Sequence, residues 1–508
     1  MFRGALDAVL DARPMTPGAM PIPSPTRMMV AGDSIAEHGT PDTWVRIVAT
    51  ALGLSDTNLG WGGQSALEVA ARQGGVMARL TFPGNVIPAS GTVTVTADTN
   101  PVGGNPGSGP DGGTVYGRVA GVAGSLFLNG ADVRFQRTTD GAAVTVPGSV
   151  AFVPDRGTAT RGDVAILAAG RNYTADVAAI VKAYVGMVAY TNPRFLTLGI
   201  LPWEGTDPTH TEDAANWALR ELWPDRFMDL KAWMLSQDAA NAVAYKLTAT
   251  DNTAIAAGFY PPAYRDDGVH PNVRGRRAIA QLVISRLRSE YGMTLQPGYA
   301  TPAMPSVVPD HAWDFGGLLP GTNTVSVKAR AGALPAEQSV ESAAPFVAIV
   351  PASFKVPVVT VSPAWVRGST GAVPAAQTTF LVGALTTTAG ATSKIIAAAG
   401  GVIFRVSSGN KWELLANSQL ITSPGSIDSA PHVFAIVQDG ANSALWVDGV
   451  KVATAAGASF GAPSSVNIDL GSSSGAPARL AGGWVYRSRL TDTQIQTVSA
   501  DLAAATIA

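Results

Sequence analysis

Four short apolar runs, separated by amphipathic stretches, constrain what this chain can fold into more than any other feature. Met28, Met29, Val30 and Ala31 form the first, and residues 164–169, 195–201 and 227–230 form the others. None sustains a polar–apolar alternation, so each predicts a strand buried on both faces. Trp44, Ile47, Val48, Ala51 and Leu52 recur at three- and four-residue steps. So do Val177, Ile180, Val181, Tyr184 and Val188, and later Ile279, Leu282, Val283 and Leu287. That spacing is an amphipathic helix's. Buried strands joined through helices predict an α/β layer fold around a parallel sheet.

The alternation stops between about residues 80 and 160. There, residues 92–96, 114–119, 125–128 and 133–136 read as strands between Gly- and Pro-rich turns, predicting a β-rich insertion. Residues 100–113 are nearly all Gly, Pro, Asn, Asp and Ser, which predicts a long mobile loop. After Tyr291 the helical pattern ends, and Pro297, Pro302, Pro305 and Pro309 mark a linker. Strand patterns alone follow, among them 378–382, 401–406, 432–437 and 444–447, with Asp448-Gly449 as a hairpin turn; a β-sandwich is expected. The expected organisation is a Pro-rich segment (1–26), an α/β domain (27–80 and 161–296), an all-β insertion (81–160), a linker (297–310) and a β-sandwich (311–508). A length of 508 residues suits more than one core.

Composition narrows the function. The formal charge is −2 and no stretch gathers Lys and Arg into a basic face, so nucleic acid is not an expected partner. Cys is absent, which excludes disulfides, thiolate metal sites and cysteine nucleophiles. No run of about 18 apolar residues predicts a membrane span, and the N-terminus lacks the order of a signal peptide. No cofactor is implied, and no catalytic metal cluster is expected.

A serine nucleophile needs a base, and five His are available. His38, His210, His311 and His432 have no carboxylate at an orienting spacing within a turn. His270 does: in Asp267-Gly268-Val269-His270-Pro271 a turn can fold the carboxylate onto one ring nitrogen, leaving the other free to take a proton. Ser34 follows the first apolar run in Gly32-Asp33-Ser34, at the edge where α/β sheets place their sites. Asn58-Leu59-Gly60-Trp61-Gly62-Gly63 is a glycine-rich loop that can bring backbone N–H groups close to a substrate oxygen. Gly170-Arg171-Asn172 presents an amide at the same edge.

These four blocks, in this order, resemble the SGNH (GDSL-like) hydrolase family over roughly residues 28–80 and 162–291. The resemblance implies a three-layer α/β fold with a flavodoxin-like parallel sheet. It also implies Ser34 as nucleophile, Asp267 and His270 as the rest of a triad, and Ser34, Gly63 and Asn172 as oxyanion-hole donors. Two departures stand out: Tyr173 replaces the Asp common after the third-block Asn, and 109 residues separate Gly63 from Asn172. The insertion accounts for the second. Residues 311–498, with Trp313, Phe315, the Leu445 to Gly449 hairpin and Gly482-Gly483-Trp484-Val485-Tyr486, resemble laminin-G-like or concanavalin-like domains, which implies a jelly-roll sandwich. Trp446 and Trp484 are expected in its core. The whole arrangement resembles phage tail-spike or tail-fibre deacetylases. It implies a serine esterase acting on O-acyl groups, O-acetyl above all, of a surface polysaccharide, in a virion tail or extracellular setting, as a homo-oligomer or within a tail assembly. The rivals are a non-catalytic receptor-binding or adhesion protein using the hydrolase fold as scaffold, and a secreted bacterial lipase-like esterase.

Overall fold

The computed structural model describes residues 25–37, 42–191, 193–204 and 209–299. From 303 to 508 it describes all but 315–317, 320–325, 328–335, 338–345, 349–357, 362–364, 370–373, 386–393, 400–401, 407–410, 417–418, 425–427, 456–466 and 472–477. The Pro-rich segment 1–26, except its last two residues, and His38 lie outside the described residues. The chain forms two compact units, Met1–Leu235 with Thr253–Thr294, and Ser236–Asn252 with Leu295–Ala508.

The first unit contains five parallel strands, β1 (Arg27–Glu37), β2 (Ser55–Gly60), β3 (Val164–Ala168), β4 (Phe195–Leu198) and β5 (Phe227–Met228). Their order is β2-β1-β3-β4-β5. The main helices are α1 (Trp44–Leu52), α2 (Ala66–Gln73), α3 (Val177–Tyr190), α4 (Glu212–Leu222) and α5 (Val273–Tyr291). Met29, Ala31, Leu59, Ala165 and Leu167 form one cluster with Val69 of α2, Tyr184 and Met187 of α3 and Leu219 of α4. Met28, Val30, Val164 and Ile166 alternate with these along the strands and are equally buried, so both faces of the sheet are covered. α1 and α5, which contribute nothing to that cluster, pack on each other.

Between α2 and β3 the chain builds a seven-stranded antiparallel sheet. Its order is Thr92–Thr94, Asp132–Arg137, Val122–Asn129, Val115–Val119, Ser149–Pro154, Arg79–Thr81 and Thr96–Ala97. Leu80, Ile87, Leu126, Phe152 and the edge-to-face pair Phe82–Phe135, with centroids 5.5 Å apart, fill its core. Trp61, from the loop after β2, is buried in the same core. Residues 100–113, read in the sequence as a long mobile loop, make hydrogen bonds to the glycine-rich loop: Asn105 N–H donates to Gly62 O (2.8 Å), and the Gln64 side chain donates to Pro101 O and Gly103 O. Their composition encodes turns, but the turns have partners.

In the second unit two antiparallel sheets of eight strands each are described. One centres on Ala478–Tyr486 between Val358–Val361 and Gln377–Leu385; the other runs from Ser326–Val327 to Gln419–Thr422. Trp446 and Trp484 are 3% and 0% exposed and pack with Phe380, Val433 and, from the final helix Asp492–Thr506, Ile495, Val498 and Leu502. Asp448 and Gly449 both adopt positive φ (50° and 76°), as a tight two-residue hairpin turn requires.

Candidate active site

The C-terminal end of β1 sets the first part of the site. Gly32 and Glu37 both register against Gly60 of β2, so residues 33–36 bow out of the ladder between them. The fold-back depends on Gly60, where a Cβ would lie 2.2 Å from Ala36 O. Ser34 sits on this excursion half-buried, between buried Asp33, Ile35 and Ala36. The Asp33 carboxylate accepts Ile35 N–H (3.1 Å) and, across the sheet edge, Arg171 N–H (2.9 Å). Burial pushes its pKa up against those bonds and the Arg171 charge.

The glycine-rich loop follows β2 and ends at Ser65, which caps α2 in a reciprocal capping box with Glu68. Gly63 has φ +79°, and a Cβ there would lie 2.8 Å from the Asn105 side-chain oxygen. Asn172, after β3, is brought to this loop: Ser65 and Asn172 form a parallel bridge, and Asn172 Nδ2 donates to Gln64 O (3.0 Å). Tyr173, beside it, is 72% exposed and holds φ +66°, unusual for an aromatic residue. Beneath the loop lies Arg72, fully buried. Its guanidinium donates to Leu59 O, to Gly32 O (3.2 Å) and to Gln64 Oε1 (2.9 Å), with the Trp61 ring 5.7 Å away. Burial lowers its pKa to about 9, against the opposing charge of Glu68.

The third part is the turn before α5. Asp267 Oδ2 is 2.7 Å from His270 Nδ1, while Oδ1 accepts the N–H groups of Val269 and His270, each at 2.7 Å. Desolvation acts to raise the Asp267 pKa, but the bonds from the His270 ring and from the two backbone groups outweigh it and hold the carboxyl at about 2. A carboxylate accepts, so His270 Nδ1 is the donor in this pair. Asn272 closes the turn by capping α5 through Arg274 N–H and Gly275 N–H. The His270 side chain is 44% exposed.

A continuous chain of interactions links these parts. Asp33 binds Arg171, whose guanidinium lies over the Trp203 ring, and Trp203–Glu204 packs on the 267–270 turn, with Glu204 N–H donating to Gly268 O. Asp267 with His270, and Asn172 with the Gly63 loop, are therefore brought together. Among the described residues no hydrogen bond joins the Ser34 hydroxyl to the His270 ring. Asp33, Gln64 and Arg72 are central here although the sequence pattern assigns them no role. Asp33 is visible there only as part of a turn, and nothing local marks the other two. Among the described residues no group of three or more His, Asp or Glu is placed to hold a metal ion, and no helix is long and apolar enough to cross a membrane.

No protein-family model matches the chain. The tail spike protein of Salmonella phage epsilon15 is 29% identical over 247 residues, covering 44% of this chain and 22% of its own length. The chain thus spans less than a quarter of that relative. Among solved structures, Trypanosoma rangeli sialidase overlaps 45% of this chain and 39% of its own at 11% identity and a TM-score of 0.29. The binding domain of botulinum neurotoxin DC, in complex with rat synaptotagmin II, overlaps 33% of this chain and 49% of its own at 12% identity and a TM-score of 0.25.

Proposed function

We propose that the chain is a serine esterase of the SGNH (GDSL-like) type that removes O-acyl groups, O-acetyl in particular, from a surface polysaccharide. The observation that carries this reading is the 2.7 Å Asp267–His270 pair, its carboxylate anchored by two backbone N–H groups, in a turn that accepts Glu204 N–H from the segment after β4. The strand order 2-1-3-4-5 supports a flavodoxin-like hydrolase sheet, with the site where the order reverses. The two antiparallel sheets of the second unit support a laminin-G-like or concanavalin-like sandwich.

In the proposed reaction His270 Nε2 takes the Ser34 hydroxyl proton as Oγ bonds to the ester carbonyl carbon. Ser34 N–H, Gly63 N–H and the second Asn172 Nδ2–H stabilise the oxyanion. As the tetrahedral intermediate collapses, the bond to the sugar oxygen breaks and His270 returns its proton to that oxygen. Water, deprotonated by His270, then bonds to the acyl carbon; the bond to Ser34 Oγ breaks, His270 returns the proton to Oγ, and the acid leaves and loses its own proton to solvent as a carboxylate. Asp267 holds the ring tautomer and supports the imidazolium. The likeness to a phage tail spike protein supports a place in a phage tail, with the polysaccharide as receptor and the protein as a homo-oligomer or a component of a tail assembly.

The unmade Ser34–His270 bond favours a second reading, a receptor-binding tail protein that keeps the fold as scaffold. One assay separates the two. Ser34→Ala should cut acetate release from O-acetylated envelope polysaccharide, and hydrolysis of an aryl acetate, by about 10³-fold or more while the protein stays folded. Undiminished turnover in the variant would overturn the esterase reading.

A further inference from the structure

We infer that Gln64 is a positioning residue through which the inserted β-module sets the geometry of the Gly63 and Asn172 donors. The inference rests on the esterase reading, which makes those two groups oxyanion donors. Gln64 is 0% exposed, and its side-chain amide is satisfied on two sides. Nε2 donates upward into the insertion, to Pro101 O (3.1 Å) and Gly103 O (2.8 Å), while Oε1 accepts Arg72 Nε (2.9 Å) from below. Its main-chain oxygen accepts Asn172 Nδ2 (3.0 Å). One residue therefore touches the insertion, the buried cation that also binds Gly32 O at the end of β1, and one proposed donor, and it directly follows the other.

Neighbouring bonds repeat the pattern. Trp61 Nε1 donates to Asn105 O (3.0 Å), Asn105 N–H donates to Gly62 O (2.8 Å), and the Trp61 ring is buried in the insertion's own core. A loop reading Gly60-Trp61-Gly62-Gly63 has little intrinsic reason to hold one conformation, because glycine carries the largest backbone entropy. The insertion supplies the missing constraint. A donor displaced by about 1 Å can cost 100-fold in rate, so a brace at this point acts on turnover more than on substrate affinity.

Three substitutions separate these bonds. Gln64→Glu keeps an acceptor for Arg72 and sets a carboxylate against the carbonyls of Pro101 and Gly103. Gln64→Met removes every side-chain bond, and Trp61→Phe keeps an aromatic ring while deleting the bond to Asn105 O. With 4-nitrophenyl acetate as the probe, both Gln64 variants should lose about 10- to 100-fold in kcat with KM within about twofold, and Trp61→Phe about threefold or more. Near-ultraviolet circular dichroism and a cooperative melt report folding. A folded Gln64→Glu with kcat within twofold of the parent overturns the inference; if neither Gln64 variant folds, unchanged kcat in Trp61→Phe overturns it instead. Ser34→Ala is assayed alongside. If it stays active the esterase reading has failed, whereas an inactive Ser34→Ala beside a fully active Gln64→Glu defeats the positioning role alone.

Discussion

Asp267 commits both oxygens within its own turn, one to two backbone N–H groups and one to the His270 ring. Its pKa is depressed, so its contribution is complete above the ordinary carboxylate value near 3.8 and is lost as pH falls through about 2. On the proposed esterase reading, an acid limb above about pH 3 therefore does not belong to Asp267. Asp267→Asn keeps the shape of the turn but leaves the ring without its anion, and kcat should fall by up to about 10⁴-fold with KM retained, read from steady-state kinetics. This pair is legible in the sequence because a three-residue spacing across Gly268 is a local fact. Arg72 and Gln64 are not: long polar side chains ordinarily face solvent, and only the packing of the insertion over the loop buries them.

At the scale of elements, the strands β1 and β3 are legible as unbroken apolar runs because both of their faces are covered. The excursion at the end of β1 is not. It depends on Ala36 folding back over Gly60, a meeting of two strands that neither run announces. Gly60→Ala drives a Cβ into Ala36 O and should destabilise the first unit by about 1–3 kcal/mol or more, measured by denaturant unfolding, and displace Ser34 with it. The bonds that segment 100–113 makes to the glycine-rich loop are illegible for a related reason. Gly, Pro and Asn state which turns a backbone can make, but say nothing of the Gln64 amide and the Trp61 indole that donate to those turns.

At the scale of the molecule, the second unit holds a second His–carboxylate cluster, one member of which, Asp428, lies four residues before His432. Glu212 likewise meets the His210 ring from two residues away, so the expectation that neither His has a carboxylate at an orienting spacing does not hold. His432 Nδ1 lies 2.6 Å from Asp448 and Nε2 2.8 Å from Asp428, beside the rings of Trp412 and Phe434. The Asp448 bond raises the His432 pKa against the cost of burial, with Asp428 adding to the rise. The resulting stability is fully present below about pH 6.5, the unfolded value, and is lost as pH rises through the higher folded value. The melting temperature of this unit should therefore decline across that window, and His432→Gln should remove the decline. Asp448 reaches His432 from a hairpin turn 16 residues along the chain, which is why the pairing is invisible until the strands are laid side by side. By itself the sequence left β2, α2 and α4 open but determined the buried strands β1, β3, β4 and β5, the helices α1, α3 and α5, the Asp448-Gly449 hairpin and the Asp267–His270 spacing. Each depends on a period or a turn preference carried by residues close together in the chain. The tertiary structure alone decided that Asp33 ties β1 to the Asn172 loop, that Arg72 and Gln64 lie buried beneath a glycine loop, and that the insertion holds this loop. Apart from the Arg72–Gln64 bond, those features are hydrogen bonds between segments some 40 to 140 residues apart, and their strength comes from burial, which no stretch of sequence states for itself.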